Sequence, residues 1–197
     1  MRKKFKLFLP RAIYVVSVVV VLIGYSLTNR PQVTTFSTQT LVDTIIPLVP
    51  VFVIPYLLYL PFLFGSLVWM LTRFSHLERL WLRRFVFAQI IAIVFFIFFP
   101  TTMVRPIIVN GGLFEDLVRF VYTNDQPFNL FPSTHVLHTL IMTSYWVRRG
   151  YSRQLIFPFT AIVCVSTVLV KQHYALDIVG GIMVYVVTDL IIKRITL

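Results

Sequence analysis

Residues Met1–Leu27 read MRKKFKLFLPRAIYVVSVVVVLIGYSL, and this stretch decides the class of fold. Five basic residues, Arg2, Lys3, Lys4, Lys6 and Arg11, stand at or just before an apolar run from Ala12 to Leu27. A cleavable signal peptide starts in the same way, but no A-x-A-like site follows, so the run is expected to be a retained membrane span. The rest of the 197-residue chain repeats the theme, with 58% hydrophobic and 13% charged residues. The charged share is about half that of a soluble domain. Mean hydropathy is +0.85. An integral membrane protein follows, read as a single domain over residues 1–197.

The net charge of +11 could suggest nucleic acid, but the placement of the charges excludes it. They fall in short polar gaps between apolar runs, as the positive-inside rule describes. Six spans are expected, near Ala12–Leu27, Ile45–Leu71, Phe85–Phe99, Ser133–Val147, Leu155–Val170 and Tyr174–Ile192. The fold class is therefore all-α, a polytopic membrane helical bundle with both termini cytoplasmic. That orientation leaves only Arg30, Arg105, Arg119 and Lys171 outside, of 18 basic residues. The second span carries Pro47, Pro50, Pro55 and Pro61, so an interfacial start and a kink are expected. Cys164 lies in an apolar run and reads as a small packing residue.

Between the third and fourth spans, LFEDLVRFVY (Leu113–Tyr122) sets apolar residues at helical spacing, which predicts a short interfacial helix. Its Glu115, Asp116 and Arg119 read as a solvated face. The chemistry concentrates elsewhere. NLFPSTHVLHT (Asn129–Thr139) places Ser133, Thr134 and His135 at the start of the fourth span. Proline is favoured in a helix's first turn, so Pro132 predicts a helix start here. Free first-turn amides and the positive helix end make an anion site. KQHYALD (Lys171–Asp177) sets His173 and Asp177 four apart on one helix face. A carboxylate that holds one ring nitrogen leaves the other as nucleophile or base. Arg105, in TTMVRP, ends the third span on the same side. Two cations, two helix starts and two histidines suit a phosphate ester. The fourth span covers about 22 Å at 1.5 Å per residue, short of a core of roughly 30 Å. The site is thus expected below the outer surface, within reach of a lipid headgroup.

His138 reads as a packing or supporting residue one turn deeper than His135. Asp125 reads as turn chemistry, and Asp189 with Lys193 as a helix-face pair. His76 falls on the inner side, away from the site. Lys171 reads equally as a snorkelling lysine or as a phosphate cation.

The pattern VRP, FPSTH, KQHYALD resembles the type 2 phosphatidic acid phosphatase superfamily over roughly residues 98–181. That superfamily carries K-x6-R-P, then P-S-G-H, then S-R-x5-H-x3-D. Here Phe98 stands at the lysine, Thr134 at the glycine and Thr167 at the arginine, while Ser166 is kept. The resemblance implies that His173 forms a phosphohistidine, that Asp177 orients it, and that His135 protonates the leaving oxygen and then activates water. It implies that Arg105, Ser133 and Thr134 hold phosphoryl oxygens, with Lys171 a candidate for a missing cation. No metal or other cofactor is implied. The substrate would be a lipid phosphate or pyrophosphate in the membrane: phosphatidic acid, phosphatidylglycerol phosphate or polyprenyl pyrophosphate. PSTH and HYALD are also similar to the inositol-phosphoceramide and sphingolipid synthase branch, where an alcohol accepts the headgroup. A non-catalytic lipid-binding protein on the same scaffold is the third possibility.

Overall fold

The computed structural model describes residues 2–109 and 111–196, with side chains for 10–109 and 111–195. Arg2, Lys3, Lys4 and Lys6, assigned above to the inner side, lie outside the described side chains. Among the described residues there are eight α-helices: α1 (Arg2–Thr28), α2 (Leu41–Ile45), α3 (Val53–Arg73), α4 (His76–Phe98), α5 (Leu113–Asn124), α6 (Thr134–Arg148), α7 (Arg153–Leu169) and α8 (Ala175–Thr196). A single 3-10 turn, Pro50–Phe52, leads into α3. Pairing in the β manner is limited, among these residues, to two isolated bridges, Phe36 with Thr101 and Thr102 with Phe128.

Four helical stretches are long and apolar enough to cross a membrane: Pro10–Thr28, Pro50–Arg73, His76–Phe98 and Ala175–Ile195. The remaining two expected spans are the shorter α6, of 15 residues, and α7, of 17. The second expected span, from Ile45, begins at the last residue of α2 and resolves into a break at residues 46–49, the 3-10 turn and α3. Pro47 and Pro50 fall in the break and in the 3-10 turn, where no helical N–H is missed. The third expected span is α4, which starts at His76, nine residues before the expected Phe85. Ser75 and Glu78 form a reciprocal capping box, and Arg79, Arg83 and Arg84 extend the helix beyond its apolar part. Charge marks where a membrane core ends; it does not stop a helix.

α6 is the central helix, packed on α3, α4, α7 and α8. Thr134 to Thr139, Ile141 to Thr143 and Tyr145 are all buried. This position explains why the helix is so polar. A hydroxyl or imidazole facing lipid would lack a partner, whereas one facing other helices finds it. Thr143 Oγ1 meets Thr160 Oγ1 at 2.6 Å. His138 is held between the Tyr59 hydroxyl, 2.7 Å from Nδ1, and Gln89 Oε1, 2.6 Å from Nε2. That is the supporting role expected of it. α1, by contrast, leans on α4 and leaves Val16, Val20 and Ile23 exposed for lipid.

One end of the bundle is basic and tied by polar contacts. Arg11 donates to the Thr72 carbonyl at 3.2 Å, and Arg83 to the Tyr14 hydroxyl at 2.6 Å. Buried Glu78 accepts from Tyr145 at 2.8 Å and pairs with Arg149, joining α4 to α6. Asp189 pairs with Arg84 at 3.1 Å and, as expected, with Lys193 at 2.6 Å. His76 starts α4 at this end. The histidine pair lies at the other end.

Candidate active site

α6 begins with Ser133 as its N-cap, the Oγ accepting from the Val136 amide at 3.4 Å. Pro132 therefore sits one residue before the cap rather than inside the first turn. The first-turn amides of Thr134 and His135 have no intrahelical acceptor. The Ser133 amide donates to the Asp177 carbonyl at 3.0 Å, which docks the start of α8 on the start of α6.

Close approach of the two helix starts depends on glycine. A Cβ on Gly181 would lie 2.7 Å from the Ser133 carbonyl oxygen and 3.0 Å from Val136 Cβ. A backbone oxygen cannot swing aside as a flexible side chain can. Gly181→Ala is expected to lower stability by roughly 1–3 kcal/mol through overpacking. Thermal unfolding in detergent, against wild type, checks this; an unchanged midpoint would mean that the two helices have slack at this crossing.

The docking brings His173 and His135 together, with Nε2 of His173 3.3 Å from Nδ1 of His135. Nδ1 of His173 lies 3.4 Å from Asp177 Oδ2, close enough for charge interaction but out of line for a hydrogen bond. His135, His173 and Asp177 are all buried, Asp177 completely. The His135 ring is seated between Tyr56 and Tyr59, with ring centroids 4.8 and 4.5 Å away. With Nδ1 of His173 protonated toward Asp177, Nε2 keeps its lone pair on the side of His135.

Sequence reasoning missed Thr38. Its hydroxyl donates to Asp177 Oδ1 at 2.6 Å, and the Tyr174 amide donates to Oδ2 at 2.8 Å. Asp43, also missed, accepts from the Ala175 amide at 2.8 Å and from the Thr40 amide at 2.7 Å. Lys171, in the left-handed region at φ 54°, sends its ammonium to the carbonyls of Asp43 and Ile46. The segment before α3 is thus fastened over the start of α8. Only the Asp43–Thr40 box carried a visible signal, a capping pattern in front of a very short helix.

Arg105 stands beside Gln172, the residue before His173, and donates to its Oε1 at 2.6 Å. It also donates to the carbonyls of Asp125, at 2.7 Å, and Tyr122, at 3.3 Å. Its guanidinium lies over the Tyr122 ring at 4.7 Å. Burial lowers the guanidinium pKa from its usual value, and the Asp125 carboxylate opposes that shift. Burial pushes the Tyr122 phenol up to about 12. The structure therefore gathers Ser133, Thr134, His135, His173 and Asp177, and holds Arg105 and Lys171 nearby on backbone carbonyls.

Asp125 is more than a turn residue. It accepts from Asn29 at 2.9 Å, Tyr56 at 3.2 Å and Tyr25 at 3.4 Å, linking α1, α3 and the end of α5. α5 itself packs Val118 and Val121 against Val53 and Tyr56, while Asp116 and Arg119 pair on its outer face. Below this knot lies a cavity of about 340 Å3 with Thr134 and His135 on its wall. Leu22, Leu57, Leu60, Leu63 and Phe64 give it an apolar lining from α1 and α3.

No curated protein and no solved structure matches the chain. The family model of the PAP2 superfamily matches residues 33–191, a stretch that holds Thr38, Asp43 and Arg105 as well as both histidines. Membership supports a phosphatase or phosphotransferase function toward lipid phosphates, in keeping with a membrane protein of apolar helices. On that match and the geometry above, the chain belongs to the PAP2 superfamily.

Proposed function

We propose that this protein is a lipid phosphatase of the cell membrane, hydrolysing a lipid phosphate or pyrophosphate through a phosphohistidine, without a metal. The observation that carries the reading is the row of Asp177, His173 and His135, with His135 on the wall of an apolar cavity. A lipid phosphate would bring its phosphoryl group against the histidine pair and displace their mutual contact. His173 Nε2 forms the P–N bond as the P–O bond to the lipid breaks, and protonated His135 gives its proton to the leaving oxygen. His135 then takes a proton from water, the water oxygen attacks phosphorus, and the P–N bond breaks to free phosphate. The first-turn amides of Thr134 and His135 and the Ser133 hydroxyl would receive the phosphoryl oxygens. Arg105 would add positive charge once a phosphate competes with the carbonyls it now holds; Lys171 is a second such cation.

The basic end supports a six-span arrangement with both termini cytoplasmic and the site on the extracytoplasmic side. α6 and α7 would then be the two short spans, with α6 shielded from lipid by its neighbours and α7 offering Leu155, Phe157, Ile162 and Val165 to it. Phosphatidic acid, phosphatidylglycerol phosphate and polyprenyl pyrophosphate are the candidate substrates. Transfer to an alcohol would use the same residues.

Purified protein in detergent with a chelator, given these lipids with and without an alcohol acceptor, tests the reading. Free phosphate from one lipid is the expected product. A new phosphodiester with little free phosphate would make the protein a transferase, and no product from any donor would make it a lipid-binding protein.

Thr38 supplies a test of this row that leaves the histidines intact. Thr38→Val removes one donor from a buried carboxylate, which ordinarily costs about 1–3 kcal/mol. A drop in kcat of roughly tenfold to a hundredfold is expected, with KM little changed and Thr38→Ser close to wild type. A drop shared by the serine variant would mean that the hydroxyl does not act through Asp177.

A further inference from the structure

At the basic end, α6 finishes at Arg148 and α7 begins at Arg153. A cavity of about 620 Å3 lies there between α6, α7 and α8. Both arginines line it, with Leu140 and Phe157 as apolar wall. Ser144 and Tyr185, whose hydroxyls meet at 2.5 Å, add polar surface. No acidic side chain lines it. Among the described residues neither guanidinium has a hydrogen-bond or ion-pair partner. Both residues are exposed.

Arg148 needs no special account, because a cation in the last turn of a helix meets the negative end of its dipole. Arg153 does. It is the first residue of α7, where the dipole is positive, and that first turn holds no acidic residue. Ser152, the N-cap, makes no side-chain hydrogen bond to the turn. Two guanidiniums therefore line one cavity, and among the described residues nothing pairs with them. Like charges held together are unfavourable unless an anion joins them.

The membrane supplies one. With 15 and 17 residues, α6 and α7 span about 22 and 26 Å, less than a bilayer core of roughly 30 Å. Helices this short are accommodated by local thinning of the bilayer and by flanking residues that snorkel, which draws headgroups toward their ends. We propose that this cavity binds an acidic phospholipid of the surrounding bilayer. Its phosphate sits between Arg148 and Arg153, and an acyl chain runs along Leu140 and Phe157. This site is separate from the histidine pair, and it needs only that the protein be embedded in a bilayer.

The test is native mass spectrometry of the delipidated protein with equal amounts of phosphatidylglycerol and phosphatidylcholine. Wild type is expected to retain phosphatidylglycerol over phosphatidylcholine by roughly tenfold or more. The double variant Arg148→Gln/Arg153→Gln is expected to lose that preference. Arg73→Gln/Arg194→Gln, which removes the same charge from the same end outside the cavity, is expected to keep it. Equal retention of the two lipids by wild type would overturn the site. So would an equal loss in both double variants, because the attraction would then be diffuse. The wild-type comparison stands even if a variant fails to fold.

Discussion

His173→Ala is expected to reduce phosphate release by roughly a thousandfold or more. The reason is that Nε2 of His173 is the proposed attacking atom, facing His135 at 3.3 Å with a carboxylate behind the other ring nitrogen. Alanine deletes both the proposed nucleophile and the ring that stands between Asp177 and His135. The protein should still fold. The α6–α8 contact rests on the Ser133 amide bond to Asp177 and on Gly181, not on the imidazole. Combining His173→Ala with His135→Ala should cost little beyond the single change, because residues that act as one unit are not additive. Phosphate release from a lipid phosphate, measured with a thermal unfolding control, checks both statements. Substantial turnover by His173→Ala, with the fold intact, would remove the nucleophile assignment.

Asp177→Asn carries the next largest effect, a fall in kcat on the order of 10²–10⁴ with the geometry nearly preserved. The carboxylate is wholly buried and accepts from the Thr38 hydroxyl and the Tyr174 amide, with His173 Nδ1 beside it. An asparagine keeps the shape but replaces one acceptor oxygen with a donor. If its NH₂ takes the place of Oδ1, it faces the Thr38 hydroxyl, which can turn to accept, and only the charge is lost. If it takes the place of Oδ2, it meets the Tyr174 amide donor to donor, and His173 Nδ1 is driven to accept, so that the proton moves to Nε2, the atom proposed to need its lone pair. The loss should appear in kcat far more than in KM, because the groups on α6 proposed to hold phosphate are untouched. A fall in KM-linked affinity alone would place Asp177 in binding and not in orienting His173.

How much of this could be read from the sequence follows from the range of the interactions. Apolar runs announce helices that face lipid, so α1, α3, α4 and α8 were legible as spans. α6 was legible from its ends: Pro132 and Ser133 mark its start, and the arginines its finish. The expected shared helix face of His173 and Asp177 does not form, because His173 lies two residues before α8; the pair meets at the helix start, where Asp177 Oδ2 accepts from the Tyr174 amide and lies beside His173 Nδ1. The contact between His135 and His173 was legible only through the resemblance, because 38 residues separate them. Thr38 was not legible at all. It lies 139 residues from Asp177, in a stretch without periodicity, and one threonine among several gives no signal. Asp125 misled for a similar reason. Its position suggested a turn, and its three side-chain donors come from Tyr25, Asn29 and Tyr56, which hydropathy treats only as parts of spans or gaps. Lys171 had two readings on charge alone; here its ammonium is held by the carbonyls of Asp43 and Ile46.

The covalent step is the centre of the account, and trapping it is the most direct measurement. The protein would be mixed with a lipid phosphate labelled in its phosphoryl group, quenched within the first turnover in alkali, and digested for peptide mapping. The account predicts a label that survives alkali, is lost in acid, sits on the peptide containing His173 and is absent from His173→Ala. Rapid release of phosphate with no label on His173, or a label on that variant, would contradict it.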